Sequence, residues 1–218
     1  MKVLDSVFIV VGKNLVYSDE RVPMKRIMFG GSFNPVHLGH AAMVKAALLD
    51  STVDAVTVIP ARCSPFKSEE GLCDGEKRLE MCRLAFEGFE KTEVSDIEFS
   101  LPYPSFTVNT LSRLSSLYPG DGLGLLIGGD SVMGLCKWRE SEKIIETAEI
   151  FAAVRNGADR AAVEKELCRI GARYSIVNMK EIDISSTDIR ERLKRGLSCS
   201  GLLDKRVEKY IIDNRLYR

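Results

Sequence analysis

The sequence contains very few histidines. Only two occur in 218 residues, His37 and His40, and both lie in one glycine-rich stretch, Gly30 to His40. The six cysteines are scattered and form no C-x-x-C pair, so a structural zinc site, which needs four closely spaced Cys or His ligands, is not expected. Scattered free thiols are typical of proteins in a reducing cytosol, and we therefore predict a cytoplasmic protein.

Net charge and long apolar runs are also lacking. Lys plus Arg number 31 and Asp plus Glu number 31, for a formal net charge of +0, so no global positive field attracts a polyanion. No apolar run approaches the roughly 18 to 20 residues of a membrane span, and the first residues lack the pattern of a secretory signal. Neither nucleic acid nor a membrane is expected as a partner, whereas a small phosphorylated ligand needs only local charge.

What is present indicates an α/β fold. The composition, with 45% hydrophobic and 28% charged residues, is that of an ordinary globular protein. From Arg26 onward, apolar β-type segments alternate with amphipathic ones, and the β-type segments are almost continuously apolar. We therefore predict a doubly wound parallel sheet followed by C-terminal helices. The predicted strands are 26–29, 55–59, 93–99, 123–127, 150–154 and 174–178, and the predicted helices are 38–49, 76–89, 107–117, 142–147, 158–170, 187–195 and 204–214.

Residues 1–23 break this alternation. Ser6 to Val11 and Leu15 to Ser18 flank Gly12-Lys13-Asn14, a pattern that predicts a short hairpin. We accordingly divide the chain into an N-terminal extension, 1–23, and a single domain, 24–218. The hairpin is either an added edge of the sheet or an extension upstream of a domain that begins at Met24.

The glycine-rich stretch carries the clearest functional signal. It follows the first predicted strand, and its glycine pair lets the backbone approach a ligand where a Cβ would collide. The helix that follows presents His37 and His40 at i and i+3, near its positive end and at the carboxyl edge of the sheet. Two imidazoles and a helix N-terminus are thus expected to converge on an anion. A lone histidine is more often a cap or a filler, but that alternative explains the cluster poorly.

Gly30 to His40 resembles the H-x-G-H signature of the nucleotidylyltransferase superfamily, whose nucleotide-binding fold is shared with class I aminoacyl-tRNA synthetases. Residues 24–218 as a whole resemble one branch, the bacterial nicotinate mononucleotide adenylyltransferases. This resemblance implies a Rossmann-like fold, transfer of the adenylyl group of ATP to nicotinate mononucleotide in NAD biosynthesis, and Mg²⁺ bound with ATP mainly by phosphates and water. The ATP contacts that it implies are Gly30, Gly31, Ser32, Phe33, Gly39, Lys67, Ser185, Ser186 and Thr187.

A second motif, Ile184 to Arg190, resembles the family's I-S-S-T-x-I-R. Ser185 followed three residues later by Asp188 is also a capping-box pattern, worth about 1 kcal/mol to a helix. The two interpretations are compatible, because a capped helix start is itself an anion site. The resemblance implies that Arg190 reaches the ATP phosphates and acts with His37 and His40 as a catalytic residue; the alternative is a plain surface arginine.

Three residues are expected on the mononucleotide side. Asp130 lies in the segment Gly128-Gly129-Asp130-Ser131, and Trp138 follows eight residues later. Taken alone, Trp138 is most simply a core residue and Asp130 a helix N-cap. Thr107, in a segment that resembles the family's P-S-Y-T-x-x-T-L, is equally well explained as an N-cap. The resemblance implies that all three contact nicotinate mononucleotide.

The chain departs from the family pattern in the loop Pro60 to Lys67, where Phe66 replaces the usual His. With Phe66 in that place, no histidine role is expected for this loop, and Lys67 is the phosphate contact that the resemblance implies. Asn34 stands where Asp is commoner and keeps the ability to cap a helix. Arg78 matches the family's R-x-x-M helix, for which we predict a structural role because the segment is amphipathic.

The implied reaction needs no enzyme nucleophile and no general base, because the attacking phosphate is already ionised. Catalysis must therefore come from positioning and charge stabilisation.

The nearest alternative enzyme is phosphopantetheine adenylyltransferase, which normally has Thr in place of His37. A cytidylyltransferase and a class I tRNA synthetase fit less well, since the motif R-T-E-G-I-S-T-T and a K-M-S-K-S-like loop are missing. A non-catalytic nucleotide sensor is the alternative of another class. Oligomeric state is left open, a homo-oligomer included.

Overall fold

A six-stranded sheet forms the centre of the computed structural model, which describes residues 7–11, 14–18, 22–63, 71–154, 157–180 and 182–218. All six strands are parallel, in the order β5-β4-β3-β6-β7-β8. The strands of the chain are β1 (Val7–Val11), β2 (Asn14–Ser18), β3 (Lys25–Gly31), β4 (Ala55–Pro60), β5 (Thr92–Val94), β6 (Gly122–Gly128), β7 (Ala148–Val154) and β8 (Tyr174–Asn178).

Helices cover both faces of this sheet. Strand residues alternate between two apolar clusters: Ile27 and Phe29 of β3 point into the first and Met28 into the second. The first cluster is completed by α1, α2, α7 and α8, and the second by α3, α5 and α6. Among the described residues, no helix is long and apolar enough to cross a membrane. The helices are α1 (Leu38–Ala47), α2 (Gly75–Phe86), α3 (Thr107–Leu117), α4 (Gly129–Val132), α5 (Ser141–Thr147), α6 (Gly157–Arg169), α7 (Ser186–Lys194) and α8 (Lys205–Asp213).

The predicted doubly wound parallel sheet with C-terminal helices is thus confirmed, with element bounds shifted by a few residues. One predicted strand, 93–99, is wrong in its second half: β5 ends at Val94, and Ile97–Ser100 forms a 3₁₀ helix. The hydroxyl of Ser95 accepts the backbone N–H of Ile97 at 3.4 Å. This local bond turns the chain away from the sheet, because it competes with the strand ladder.

The N-terminal strands β1 and β2 pair antiparallel in a sheet of their own, with Val11 opposite Asn14. This pairing agrees with the predicted hairpin and makes it separate from the six-stranded sheet rather than an added edge of it. The division into an extension, 1–23, and a domain, 24–218, stays a prediction.

The strand order places a ligand site. From β3 the chain moves outward through β4 to β5, then returns to the other side of β3 as β6. In open α/β sheets, ligands bind where the strand order reverses, at the carboxyl ends of the strands. The carboxyl ends of β3 and β6 are the glycine segments Gly30-Gly31 and Gly128-Gly129. The topology therefore brings two of the predicted motifs to one crevice.

At the amino ends of the strands, opposite the ligand crevice, a buried cluster of charged side chains surrounds Arg26. Its guanidinium contacts Asp121 at 3.2 Å and Glu93 at 2.7 Å, donates to Thr57 Oγ1 at 3.2 Å, and lies 3.7 Å from the ring centroid of Tyr118. Arg26 is 5% exposed. Because these partners lie on β4, on β5 and beside β6, one side chain joins four strands at the edge away from the ligand crevice.

We predict that Arg26→Met lowers the free energy of unfolding by about 3–5 kcal/mol, because it removes the cation from a buried carboxylate. The matched control is Lys25→Met, which breaks the more exposed pair with Glu149 and is expected to cost about 0–1 kcal/mol. Urea unfolding of both variants measures the difference. Equal losses for the two variants would contradict the structural importance of the Arg26 cluster.

Candidate active site

The two histidines meet at the start of α1. His37 is the N-cap residue of this helix, and the rings of His37 and His40 stack with centroids 3.7 Å apart and an interplanar angle of 29°. His40 Nδ1 accepts the backbone N–H of His37 at 3.2 Å. The neutral His40 ring therefore carries its hydrogen on Nε2. The rings of Phe33 and His40 meet edge to face with centroids 4.9 Å apart, so the His40 ring is held in place by a hydrogen bond and by aromatic contacts.

Gly39 makes room for the His37 ring. A Cβ at this position would lie 3.0 Å from both Cε1 and Nδ1 of His37, closer than side chains normally approach. The sequence predicts that Gly39 lets a nucleotide lie close, and this contact stays a prediction. The structure gives a further reason for glycine here, because the stack of His37 on His40 leaves the His37 ring little space to retreat.

The glycine loop itself is tightly folded. Gly31 lies at the end of β3, where a Cβ would lie 3.1 Å from the ring of Phe33. Phe33 adopts a left-handed backbone with φ of 44°, and its side chain is 2% exposed. The Phe33 ring thus belongs to the core, and a contact between Phe33 and ATP would have to come from its backbone.

The second predicted motif lies directly on this loop. Ser185 caps α7 by accepting the N–H of Asp188 at 3.0 Å, as the capping pattern predicts. Ser186 Oγ donates to the carbonyl of Pro35 at 2.9 Å. Segments about 150 residues apart in the chain are therefore joined by a direct hydrogen bond, and the start of α7 lies against the loop that leads into α1.

Arg190 lies one turn into α7 and binds the same loop. Its NH1 donates to the carbonyl oxygen of Asn34 at 2.9 Å, and its NH2 donates to Thr187 Oγ1 at 3.2 Å. Arg190 is thus placed beside the histidine motif and is not a plain surface residue. A guanidinium has five N–H donors, so these two bonds leave others for a phosphate.

The residues predicted on the mononucleotide side follow β5 and β6. Thr107 is the first residue of α3, but the N-cap is Phe106, so the alternative of a Thr107 cap does not apply. Likewise the N-cap of α4 is Gly128, not Asp130. Asp130 is exposed, and its Oδ1 lies 2.5 Å from the position that a Cβ on Gly128 would take. The glycine therefore lets the Asp130 carboxylate fold back against the end of β6.

Trp138 is half-buried and packs against the apolar cluster beneath α3 and α5. The next residue, Arg139, stacks its guanidinium over the ring of Phe106 at 4.6 Å. This contact brings the segment after Trp138 against the start of α3, where Thr107 lies. Contacts of Thr107, Asp130 and Trp138 with a mononucleotide stay predictions, as do the ATP contacts. Phe66 and Lys67 lie outside the described residues.

Sequence reasoning underestimated Arg78, whose predicted structural role turns out to be a link between three loops. Its side chain is 1% exposed, and burial lowers the pKa of its guanidinium. The guanidinium donates to four main-chain carbonyls, those of Ser32, Ala61, Arg62 and Cys73, at 2.6–2.9 Å. The sequence offered two signals, the match of Arg78 to the family's R-x-x-M helix and an arginine within an amphipathic pattern, and neither indicates four carbonyl partners.

Comparisons with known proteins bear on the family and the fold of the chain. The cytidylyltransferase-like family model matches residues 28–192. A protein of Carboxydothermus hydrogenoformans that carries the name 'Probable nicotinate-nucleotide adenylyltransferase' is 36% identical over 195 residues, which cover 88% of this chain and 96% of that protein. A protein of Bacteroides fragilis with the same name is 37% identical over 185 residues, which cover 85% of this chain and 90% of that protein.

Among solved structures, the nicotinic acid mononucleotide adenylyltransferase of Plasmodium falciparum in complex with NaAD has a TM-score of 0.73 at 20% identity and covers 89% of this chain and 97% of that one. This likeness supports the fold. The identities to the curated relatives, which extend over nearly their whole length, support the family that the H-x-G-H and I-S-S-T-x-I-R motifs predict. The chain belongs to the nicotinate-nucleotide adenylyltransferases, within the cytidylyltransferase-like family.

Proposed function

We infer that this protein transfers the adenylyl group of ATP to nicotinate mononucleotide, giving deamido-NAD and pyrophosphate. The observation that carries this inference is the junction of the two motifs: Arg190 on the carbonyl of Asn34 and Ser186 on that of Pro35. This junction supports the proposal because two helix N-termini, two imidazoles and a guanidinium belong to segments in direct contact, an arrangement suited to a polyphosphate. The family of the chain supplies the acceptor class.

The proposed step is an in-line displacement at phosphorus. An oxygen of the 5′-phosphate of nicotinate mononucleotide forms a bond to the α-phosphorus of ATP, and the bond from that phosphorus to the oxygen bridging to the β-phosphate breaks. The bonding electrons leave with pyrophosphate. Because the attacking phosphate is already ionised, the enzyme has no proton to remove, and its work is positioning and stabilisation of negative charge.

We assign His37, His40 and Arg190 to that stabilisation. The stacked rings lie at the N-terminus of α1, where the helix dipole already favours an anion. With Nδ1 of His40 engaged by the backbone, its Nε2 is the nitrogen that donates to a phosphate oxygen. The N–H donors of Arg190 that are not directed at Asn34 and Thr187 serve the departing pyrophosphate.

We propose that ATP is bound as its magnesium complex, in which the metal would neutralise charge on the phosphates. Magnesium retains several waters and is usually held by substrate phosphates with few protein ligands. Across the part of the chain that the structure describes, no group of three or more His, Cys, Asp or Glu side chains is placed to hold a metal ion. The phosphates and water would accordingly supply most of its ligands.

A cytoplasmic location is also part of the proposal. None of the six cysteines, all of which lie in the part of the chain that the structure describes, forms a disulfide, and three of them, Cys63, Cys82 and Cys199, are buried. Free thiols persist in a reducing compartment, whereas secreted proteins tend to oxidise them. The expected partners are small molecules, ATP and the mononucleotide, and self-association into a homo-oligomer stays an open alternative.

The first test is direct. Purified protein with Mg-ATP and nicotinate mononucleotide is expected to yield deamido-NAD and pyrophosphate in equal amounts, measured by chromatography and a pyrophosphate assay. Parallel reactions contain nicotinamide mononucleotide or phosphopantetheine, and nicotinate mononucleotide is expected to react fastest. Binding of ATP without product from any acceptor would favour a nucleotide sensor, and preferred turnover of phosphopantetheine would favour the other adenylyltransferase.

We predict that His40→Ala slows single-turnover adenylyl transfer by at least about tenfold, or about 1.4 kcal/mol, because the Nε2 donor is lost. The matched control is His40→Asn, whose side-chain oxygen can replace Nδ1 as the acceptor for the His37 N–H. Relative to His40→Ala, this control is expected to restore the free energy of unfolding but not the rate of adenylyl transfer. Recovery of the full rate in His40→Asn would assign His40 to the helix cap alone.

Gly39→Ala is expected to separate stability from activity. Alanine is better than glycine in a helix by up to about 1 kcal/mol, which offsets part of the cost of the close contact with His37, so the melting temperature should change little. The new methyl group presses on the His37 ring, and kcat should fall. Gly122→Ala is the control, because a Cβ there meets nothing within 4 Å and Gly122 lies at the amino end of β6. Unchanged kcat in Gly39→Ala would show that the placement of His37 is not critical.

A further inference from the structure

The segment after α8 returns to the glycine loop. Leu216 is buried in the first apolar cluster, and it is flanked by two residues in the left-handed backbone region, Arg215 at φ 51° and Tyr217 at φ 62°. For residues other than glycine this conformation costs roughly 1–2 kcal/mol each, so neighbouring contacts must hold it in place. Of these contacts, the hydroxyl of Tyr217 donates to Asn34 Oδ1 at 2.8 Å, 183 residues earlier in the chain.

Three hydrogen bonds hold the side chain of Asn34. It is 8% exposed; besides the Tyr217 hydroxyl, its Oδ1 accepts the N–H of Cys73 at 3.1 Å, and its Nδ2 donates to the carbonyl of Gly71 at 3.0 Å. Burial, with the neighbouring Cys73, raises the pKa of Tyr217. The phenol therefore stays protonated and remains a donor at neutral pH. The Gly71 bond requires an amide nitrogen, which explains why Asn fits this position in this chain.

The main-chain carbonyl of Asn34 binds Arg190, so holding Asn34 in place also holds the guanidinium. The carbonyl oxygen of Asn34 accepts from NH1 of Arg190 at 2.9 Å, and Thr187 Oγ1 accepts from NH2 at 3.2 Å. Since a guanidinium is planar, two bonds at different nitrogens determine its plane. Any rotation of Asn34 shifts one of these two acceptors, and the donors that Arg190 presents to the crevice turn with it.

We propose that Tyr217 is a positioning residue for Arg190: the C-terminal segment holds the Asn34 side chain, and the Asn34 carbonyl sets the plane of the guanidinium. Tyr217 itself does not contact substrate. The inference rests on the proposed function in one respect, namely that Arg190 binds phosphate groups of ATP.

Tyr217→Phe tests this proposal, because it removes one oxygen and keeps the ring. It is expected to lower kcat about threefold to tenfold, the range that loss of one well-placed hydrogen bond produces, while KM for nicotinate mononucleotide stays constant. The matched control is Tyr174→Phe, whose hydroxyl lies 3.5 Å from Cys168 Sγ, at the amino end of the edge strand β8. This control is expected to leave kcat unchanged.

A double-mutant cycle separates positioning from a merely structural role. In an Arg190→Ala background, Tyr217→Phe is expected to cause no further loss of kcat, because its effect passes through the guanidinium. Losses that multiply, or full kcat in the single variant, would overturn the proposal. The same cycle measured on Mg-ATP binding by calorimetry does not depend on the acceptor. If nicotinate mononucleotide is not the acceptor, the ATP-binding cycle still tests whether Tyr217 acts through Arg190.

Discussion

Four main-chain carbonyls that converge on the guanidinium of Arg78 are the constraint on which the ligand edge of the sheet depends. Burying a guanidinium costs several kcal/mol unless dipoles or counter-charges replace its water. The four carbonyls satisfy it only if three separate segments keep their positions: Ser32 after β3, Ala61-Arg62 after β4, and Cys73 before α2. The cost of burial thus becomes a geometric restraint, because displacing any one segment leaves part of a buried charge unsatisfied.

Asn34 extends this restraint around the crevice. Its side chain binds Gly71 and Cys73, in the segment that Arg78 holds from the other side, and its carbonyl binds Arg190. The loop after β3 is therefore connected to the start of α2, to α7 and to the end of the chain through polar groups of a single residue. A rigid loop of this kind suits electrostatic catalysis, which depends on donors that do not reorganise when charge develops.

Much of this arrangement could be predicted from local patterns. The strands are continuous apolar segments, and His37, His40 and Arg190 lie in short motifs with helix-start signals. Local patterns failed at two places, one decided by a local hydrogen bond and the other by a distant contact. Glu93 to Phe99 has the composition of a strand, yet the Ser95 hydroxyl turns the chain at Ile97. The contact of Tyr217 with Asn34 could not be predicted from a local pattern, because it is a hydrogen bond across 183 residues. The sequence explains the glycine at position 39 by a nucleotide that lies close to it. The structure adds a second reason, the ring of His37, which a Cβ at this position would crowd.

Arginines have different partners at the amino ends and at the carboxyl ends of the parallel strands. This difference explains how a chain with a formal net charge of +0 can present a positive site. At the amino edge, Arg26 is paired with the carboxylates of Glu93 and Asp121, which cancel its charge. At the carboxyl edge, Arg190 and Arg78 are held by carbonyl oxygens, which orient a guanidinium but carry only partial negative charge. Helix N-termini add to the positive potential there. A phosphate-binding site therefore needs no excess of basic residues in the chain, only partners that orient the cations without neutralising them.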